Sequence, residues 1–329
     1  MAALGKKLGH PNLYIKDDGL TGSELGGNKV RKLEFLLGDA IKKKATDVIT
    51  FGAAGSNHCA ATAFYANQLG LTCTSILIAQ ENHSYVGKNI LLGAACGAEL
   101  HHFSHPISAY IPGIMIYVRK LLKTGRIPYI IPMGGSNPPG IIGYVNAAFE
   151  LKEQIISGYI PKPDTIFVPM GSMGTAIGLM IGLKAAGLTC KVIPVRVIEK
   201  TVANKEKFRK LFHTTVRFLQ QSDSTFPNVE LESQEPIIEE GYLGKGYAQY
   251  TREGKDAIDL IAYTEGIRLE GTYTGKTLAA LMDYAKKPDK KEEMLLFWNT
   301  ANAIDFSSLI KDVDYRRLPK AFHKYVESS

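Results

Sequence analysis

The chain has 329 residues, 45% of them hydrophobic and 22% charged, with 32 glycines and 15 prolines. These figures exclude a disordered or collagen-like chain, and the length exceeds what one hydrophobic core usually serves, so two domains are expected. The net charge of +7 comes from 39 basic and 32 acidic residues that are scattered rather than striped, which argues against a nucleic-acid partner and leaves room for small anionic ligands.

The first five residues run straight into Lys6-Lys7 with no apolar leader. The longest apolar runs, such as Ile76-Leu77-Ile78-Ala79, are far too short to span a bilayer. No membrane partner and a cytoplasmic address are therefore expected. Apolar spacing predicts a helix over 30–44, with Leu33, Leu36, Leu37, Ala40 and Ile41 on one face. A strand at 48–51, a small-residue turn at 52–57 and a helix to 69 follow. Next come a strand at 72–78, a helix at 85–95, a strand at 99–103, a helix at 107–122 and a strand at 129–131.

The breaker cluster Gly134-Gly135-Ser136-Asn137-Pro138-Pro139 marks a domain crossing. Beyond it the pattern predicts a helix at 140–156, a strand at 165–169, a Gly-rich loop at 171–175, a helix to 186 and a strand at 192–197. Residues 200–221 read as helix, 230–249 as loop, 252–264 and 275–286 as helices, and 294–298 as a buried strand. Repeated βα units of this kind imply parallel sheets covered by helices on both faces.

Four cysteines lie far apart without metal spacing, and read as reduced structural thiols. The cluster His101-His102-Phe103-Ser104-His105 straddles a strand end and reads as satisfied or surface histidines, so no metal is expected. Ligands of parallel sheets bind where strands end and helices begin. Three such loops are rich in small residues: Gly26-Gly27-Asn28-Lys29, residues 52–57, and Gly171-Ser172-Met173-Gly174-Thr175. The last lacks the lysine of a Walker loop and the fingerprint of a dinucleotide site, and is either a phosphate cradle or a capped tight turn. Lys29 is either an ordinary surface lysine or a Schiff-base lysine. The latter needs desolvation or a neighbouring cation, and Arg31 and Lys32 stand close in sequence.

Gly-Gly-Asn-Lys-Val-Arg-Lys-Leu-Glu, residues 26–34, resembles the lysine motif of fold-type II pyridoxal-phosphate enzymes, in the branch of 1-aminocyclopropane-1-carboxylate (ACC) deaminase and D-cysteine desulfhydrase. Gly55-Ser56-Asn57-His58, Gly134-Gly135-Ser136 with Gly140-Ile141-Ile142-Gly143-Tyr144, residues 171–178, and Tyr273-Thr274-Gly275-Lys276 resemble further motifs of that branch in the same order. The resemblance covers residues 13–306. It implies an α/β fold of two open twisted parallel-sheet domains, like the tryptophan synthase β chain. The larger domain is expected from 1–31 with 140–329, and the smaller from 32–139. It also implies pyridoxal 5'-phosphate as cofactor, a small amino acid as substrate, and a homodimer.

Residue by residue, the resemblance implies that Lys29 binds the cofactor covalently and that Asn57 contacts its ring oxygen. Ser56 would contact the substrate carboxylate. Lys32 with Gly171, Ser172, Met173, Gly174 and Thr175 would hold the phosphate. Tyr273 and Tyr247 would stand on the substrate side, and Thr274 and Thr300 near the ring nitrogen. The deaminases have a carboxylate where Thr274 stands and Leu where Thr300 stands, so this pattern is closer to the desulfhydrases. The expected reaction is α,β-elimination, D-cysteine giving pyruvate, hydrogen sulfide and ammonia. The alternatives are ACC deamination to 2-oxobutanoate and ammonia, and a non-catalytic cofactor-binding relative. Three departures mark the chain: Asn299-Thr300-Ala301-Asn302 in place of His-Thr-Gly-Gly, an Arg missing from Tyr14-Ile15-Lys16-Asp17-Asp18-Gly19, and a short segment before that strand.

Overall fold

A computed structural model describes residues 1–231 and 236–327. In chain order the elements are α1 (Ala2–Leu8), β1 (Leu13–Asp17), α2 (Asn28–Lys42), β2 (Asp47–Ala53), α3 (Asn57–Gln68), β3 (Thr72–Ile78), α4 (Ser84–Ala95), β4 (Glu99–Phe103), α5 (Pro106–Thr124) and β5 (Tyr129–Ile131). After these come α6 (Pro138–Ile156), β6 (Thr165–Met170), α7 (Gly174–Ala185), β7 (Lys191–Arg196), α8 (Lys205–Ser222), α9 (Arg252–Glu265), α10 (Thr274–Ala285), β8 (Leu295–Asn299), α11 (Ser307–Ile310) and α12 (His323–Glu327).

The strands form two four-stranded, wholly parallel sheets, in the orders β1-β8-β6-β7 and β4-β3-β2-β5. Every residue of β6 and β8 is buried, as a strand covered on both faces requires. The chain divides into a larger unit, Met1–Lys32 with Ser136–Ala303, and a smaller one, Leu33–Gly135 with Ile304–Ser329.

In the larger unit α6 starts cleanly because Asn137 accepts a hydrogen bond from the Gly140 amide at 3.1 Å and two prolines fill the first helical positions. Helices α6 and α7 approach closely where Gly178 faces Tyr144; a methyl group there would stand 2.4 Å from the tyrosine Cβ. One apolar cluster runs from Ile141, Tyr144 and Leu151 on α6 through β6 and α7 to Phe208 and Phe212 on α8. That last helix begins five residues later than the charge pattern suggests, because Asn204 caps it by accepting from the Lys207 amide.

The smaller unit departs from expectation at its end. Residues 304–327 are expected with the larger domain, yet they belong with the smaller unit. Phe322 and Tyr325 are fully buried against Ala54, Cys59, Leu77, Val86 and Ile90. The Tyr325 hydroxyl reaches the Gln80 backbone and lies 3.3 Å from the His102 Nε2. No periodicity announces this, because α11 and α12 are four and five residues long. Helix α1 was likewise unforeseen. His101, in line with its reading as a satisfied histidine, pairs with Glu99 at 2.8 Å. Among the described residues no cluster of His, Cys, Asp and Glu could hold a metal ion, and no helix is long and apolar enough to cross a membrane.

Candidate active site

The lysine turn lies between β1 and α2, and its paired glycines serve the protein's own backbone. A Cβ on Gly26 would meet the Gly19 carbonyl at 1.9 Å, and Gly27 has φ 92°. The close approach is therefore intramolecular. The turn is pinned to the end of β8, with Asn28 N donating to the Thr300 carbonyl at 3.1 Å and Gly26 N to Asn302 Oδ1 at 2.7 Å. Asn302 thus directs its amide oxygen to the lysine turn. Thr300 is buried.

Lys29 follows at the second position of α2 and donates to Asn28 Oδ1 at 2.9 Å; Asn28 Nδ2 donates to Thr175 Oγ1 at 3.2 Å. The residue is half-buried in surface, yet protein around its amine lowers the pKa to about 8, and Glu270 opposes that by attraction. The cause is burial. Arg31 does not contribute, because it turns away into a buried network: its Nε donates to Asp18 at 2.9 Å and its Nη1 to Glu150 at 2.7 Å. Arg31 is therefore not the neighbouring cation for Lys29 that its place in the sequence suggests. Asp18 is wholly buried and also accepts from Tyr144 and from Trp298 Nε1, so the base of the turn is rigid.

One helical turn after Lys29, Lys32 is 1% exposed, and its Nζ donates to Ser136 Oγ at 3.1 Å. Burial and the nearby Lys29 charge hold its pKa well below the ordinary lysine value. Ser136 Oγ also lies 2.7 Å from Ser172 Oγ and accepts from the Gly174 amide at 3.2 Å. Gly174 opens α7, where no Met173 side-chain bond caps the first turn. Met173 has φ 69°, a left-handed conformation that a side chain disfavours but that turns successive amides toward one point. A Cβ on Gly174 would lie 2.5 Å from Ser136 Oγ and 3.0 Å from Lys32 Nζ. Hydroxyls, helix N-terminal amides and a buried amine thus converge on a space with the donors for a phosphate.

The two tyrosines meet: their hydroxyls lie 2.8 Å apart and their rings pack edge to face. A Cβ on Gly171 would stand 3.1 Å from Tyr273 Cε1, so the tyrosine borders the loop. Buried Thr274 begins α10, and its Oγ1 lies 3.1 Å from Glu270 Oε1. Glu270 is a residue that sequence reasoning missed. Its carboxylate accepts from the amides of Thr272, Tyr273 and Thr274, taking the place of an N-cap and fixing both motif residues. An acidic residue four positions before a helix start was the available signal. Lys276, from the same motif, donates to the carbonyls of Leu243 and Gly246 and holds the loop that carries Tyr247.

Ser56 and Asn57 lie in the smaller unit, at the start of α3. Ser56 Oγ accepts from the Cys59 amide at 3.2 Å, so it caps the helix. Asn57 Oδ1 accepts from Asn89 Nδ2 at 2.7 Å, which orients the Asn57 amide with its Nδ2 as the remaining donor. Gly55 N donates to Gln80 Oε1 and Gly55 O accepts from Asn89, which fixes the turn.

Residues 1–299 match the family described as pyridoxal-phosphate dependent enzymes. The bifunctional D-cysteine desulfhydrase/1-aminocyclopropane-1-carboxylate deaminase of Arabidopsis thaliana, a mitochondrial protein, is 36% identical over 312 residues, 90% of this chain and 74% of the relative. The D-cysteine desulfhydrase of Serratia proteamaculans is 32% identical over 299 residues, 88% of this chain and 86% of that one. A crystal structure of an ACC deaminase homologue superposes with a TM-score of 0.77 at 32% identity, covering 92% of this chain and 87% of that one.

Proposed function

We propose, from the premise that this chain belongs to the pyridoxal-phosphate-dependent enzyme family, that it carries out α,β-elimination on a small amino acid, with D-cysteine the leading substrate. The products are pyruvate, hydrogen sulfide and ammonia, with one water consumed. The observation that carries the reading is the Lys29 amine, brought by burial to a pKa of about 8 and linked through Asn28 to Thr175, beside the cluster of amide, hydroxyl and amine donors at the start of α7.

Pyridoxal phosphate fits the residues present. Its phosphate would sit on the amides at the start of α7 with Ser136, Ser172 and Thr175, where an anion would favour the charged form of the buried Lys32 amine. Asn57 Nδ2 is assigned to the ring oxygen, Ser56 to the substrate carboxylate, and Thr274 and Thr300 to the neighbourhood of the ring nitrogen. When bound, the cofactor supplies an electron sink for the substrate's α-carbon. Lys29, near neutrality, takes the α-proton on its Nζ. In the Tyr247–Tyr273 pair one hydroxyl donates to the other, which directs a further proton toward a leaving thiolate.

Thr274 favours elimination over ring opening. Its hydroxyl is neutral, and the Glu270 carboxylate behind it is spread over three backbone amides. A partner of that kind supports departure of a good leaving group better than cleavage of an unactivated cyclopropane. ACC deamination remains the second reading, because the plant relative carries both activities in its name.

A panel of both cysteine enantiomers, other β-substituted amino acids and ACC, read for ketoacid and sulfide, tests the reading. Pyruvate and sulfide from D-cysteine are expected, and turnover of ACC alone rejects it. Bound cofactor is expected to absorb at about 410–430 nm and to lose that band in Lys29→Ala. A band without ketoacid from any amino acid identifies a non-catalytic relative. A homodimer is proposed as its state, in line with the family resemblance.

A further inference from the structure

Helix α5 of the smaller unit is apolar on its outer side as well as its inner one. Only Ala109 and Ile116 of its nineteen residues are buried, against Ile49 and Ile76 of the sheet. On the opposite side Ile107, Ile111, Ile114, Met115, Val118 and Leu122 all stand exposed, Ile107 by 89%, Ile111 by 67% and Leu122 by 79%. Tyr110 extends the same face. The spacing of three and four residues confines them to a stripe along the helix, and the charged residues of α5, Arg119, Lys120 and Lys123, fall outside it.

An amphipathic surface helix turns its apolar stripe to the core and its polar face to water, whereas α5 turns a wide apolar stripe outward. Monomeric proteins seldom expose contiguous apolar patches beyond a few hundred Å². The exposed side chains of this stripe together present on the order of 1,000 Å², against about 800 Å² that each partner buries in an ordinary stable dimer. The stripe is therefore large enough to hold a dimer by itself. Being uncharged and continuous, it is complementary to itself: a two-fold axis across the helix sets the same residues against each other, antiparallel, with no unpaired charge brought into the seam.

We propose that the outer face of α5 is the two-fold interface through which this chain pairs with a second copy. The proposal rests on the homodimer stated above and assigns it a surface; it does not depend on the reaction. Ile114 and Met115, midway along the helix, then lie beside the axis, each against its own counterpart.

Sedimentation analysis of the cofactor-loaded full chain at micromolar concentration tests it. The wild type is expected at twice the chain mass of 36.0 kDa. Ile111→Glu with Met115→Glu, both exposed in the single chain, is expected to keep the far-ultraviolet circular dichroism spectrum and weaken the dimer by roughly a hundredfold or more. Should that variant fold poorly, Ile114→Cys gives a second route: mild oxidation is expected to yield a covalent dimer that the wild type does not form. A wild type that is monomeric overturns both the homodimer and the surface, including one that is monomeric and co-sediments with phosphatidylcholine–phosphatidylglycerol vesicles. A folded double-Glu variant that remains dimeric, or an Ile114→Cys chain that does not cross-link, overturns the surface alone.

Discussion

At the scale of single residues, burial and pairing decide which cations are chemically useful. Only a neutral amine attacks a carbonyl, so the rate at which the cofactor-free protein captures pyridoxal phosphate is expected to rise with pH and flatten above about 8. Stopped-flow absorbance across pH 6 to 10 measures it, and a plateau reached only near the ordinary lysine value of 10.5 would show that Lys29 is not desolvated. Stability follows the same proton. Below pH 8 the folded protein buries an ammonium at a cost; between 8 and 10.5 only the unfolded chain keeps the proton, so Lys29 adds stability as pH rises through that window. Arg31 does a different job, because its partner Asp18 is wholly buried. Asp18→Asn is expected to cost about 3 kcal/mol in urea unfolding, as removal of one member of a buried pair does. Lys43→Ala, breaking the exposed pair with Asp39, should cost under about 0.5 kcal/mol.

At the scale of elements, one short stretch fixes the local geometry in each unit. The start of α7 holds Gly174 so close to Ser136 and Lys32 that a methyl group would enter the cradle. Gly174→Ala, whose backbone geometry is ordinary for alanine, is expected to raise the Kd for pyridoxal phosphate at least about tenfold while leaving the circular dichroism spectrum unchanged. An unaltered titration would place the phosphate elsewhere. In the smaller unit, α12 and the turn before it anchor the loop that begins α3: Tyr325 bonds the Gln80 backbone, and the Gln80 side chain bonds Gly55. Phe322 is fully buried in the same cluster. Phe322→Ala is expected to destabilise the protein by roughly 3–5 kcal/mol in thermal or urea unfolding, the usual cost of emptying an aromatic site in a core. A loss under 1 kcal/mol would mean that the tail contributes little to that core.

At the scale of the whole molecule, the net charge of +7 has two parts. Lys29 and Lys32 are held below their ordinary pKa by burial, whereas most of the surplus is spread over the surface. A ligand that binds only the folded chain stabilises it by mass action. Pyridoxal phosphate at a hundred times its Kd is therefore expected to add about 2.7 kcal/mol, raising the Tm by a few degrees. The shift should shrink in Gly174→Ala, and an equal shift in both proteins would point to binding outside the cradle.

The sequence by itself determined the alternation of strands and helices, the parallel sheets, and the order of the loops that carry Lys29, Asn57, Gly174 and Tyr273. Those features are local: β-branched runs, helical periodicity and glycines at strand ends act within a dozen residues. The tertiary structure alone decided three things. It set Arg31 apart from Lys29, because a guanidinium one residue from Lys32 points to another side of the helix and finds Asp18 and Glu150. It brought in Glu270, whose role as a cap depends on a loop folding back over three amides. It also placed residues 304–327 in the smaller unit. Two aromatic side chains on elements of three to five residues carry that placement, and no periodic pattern records which core they fill.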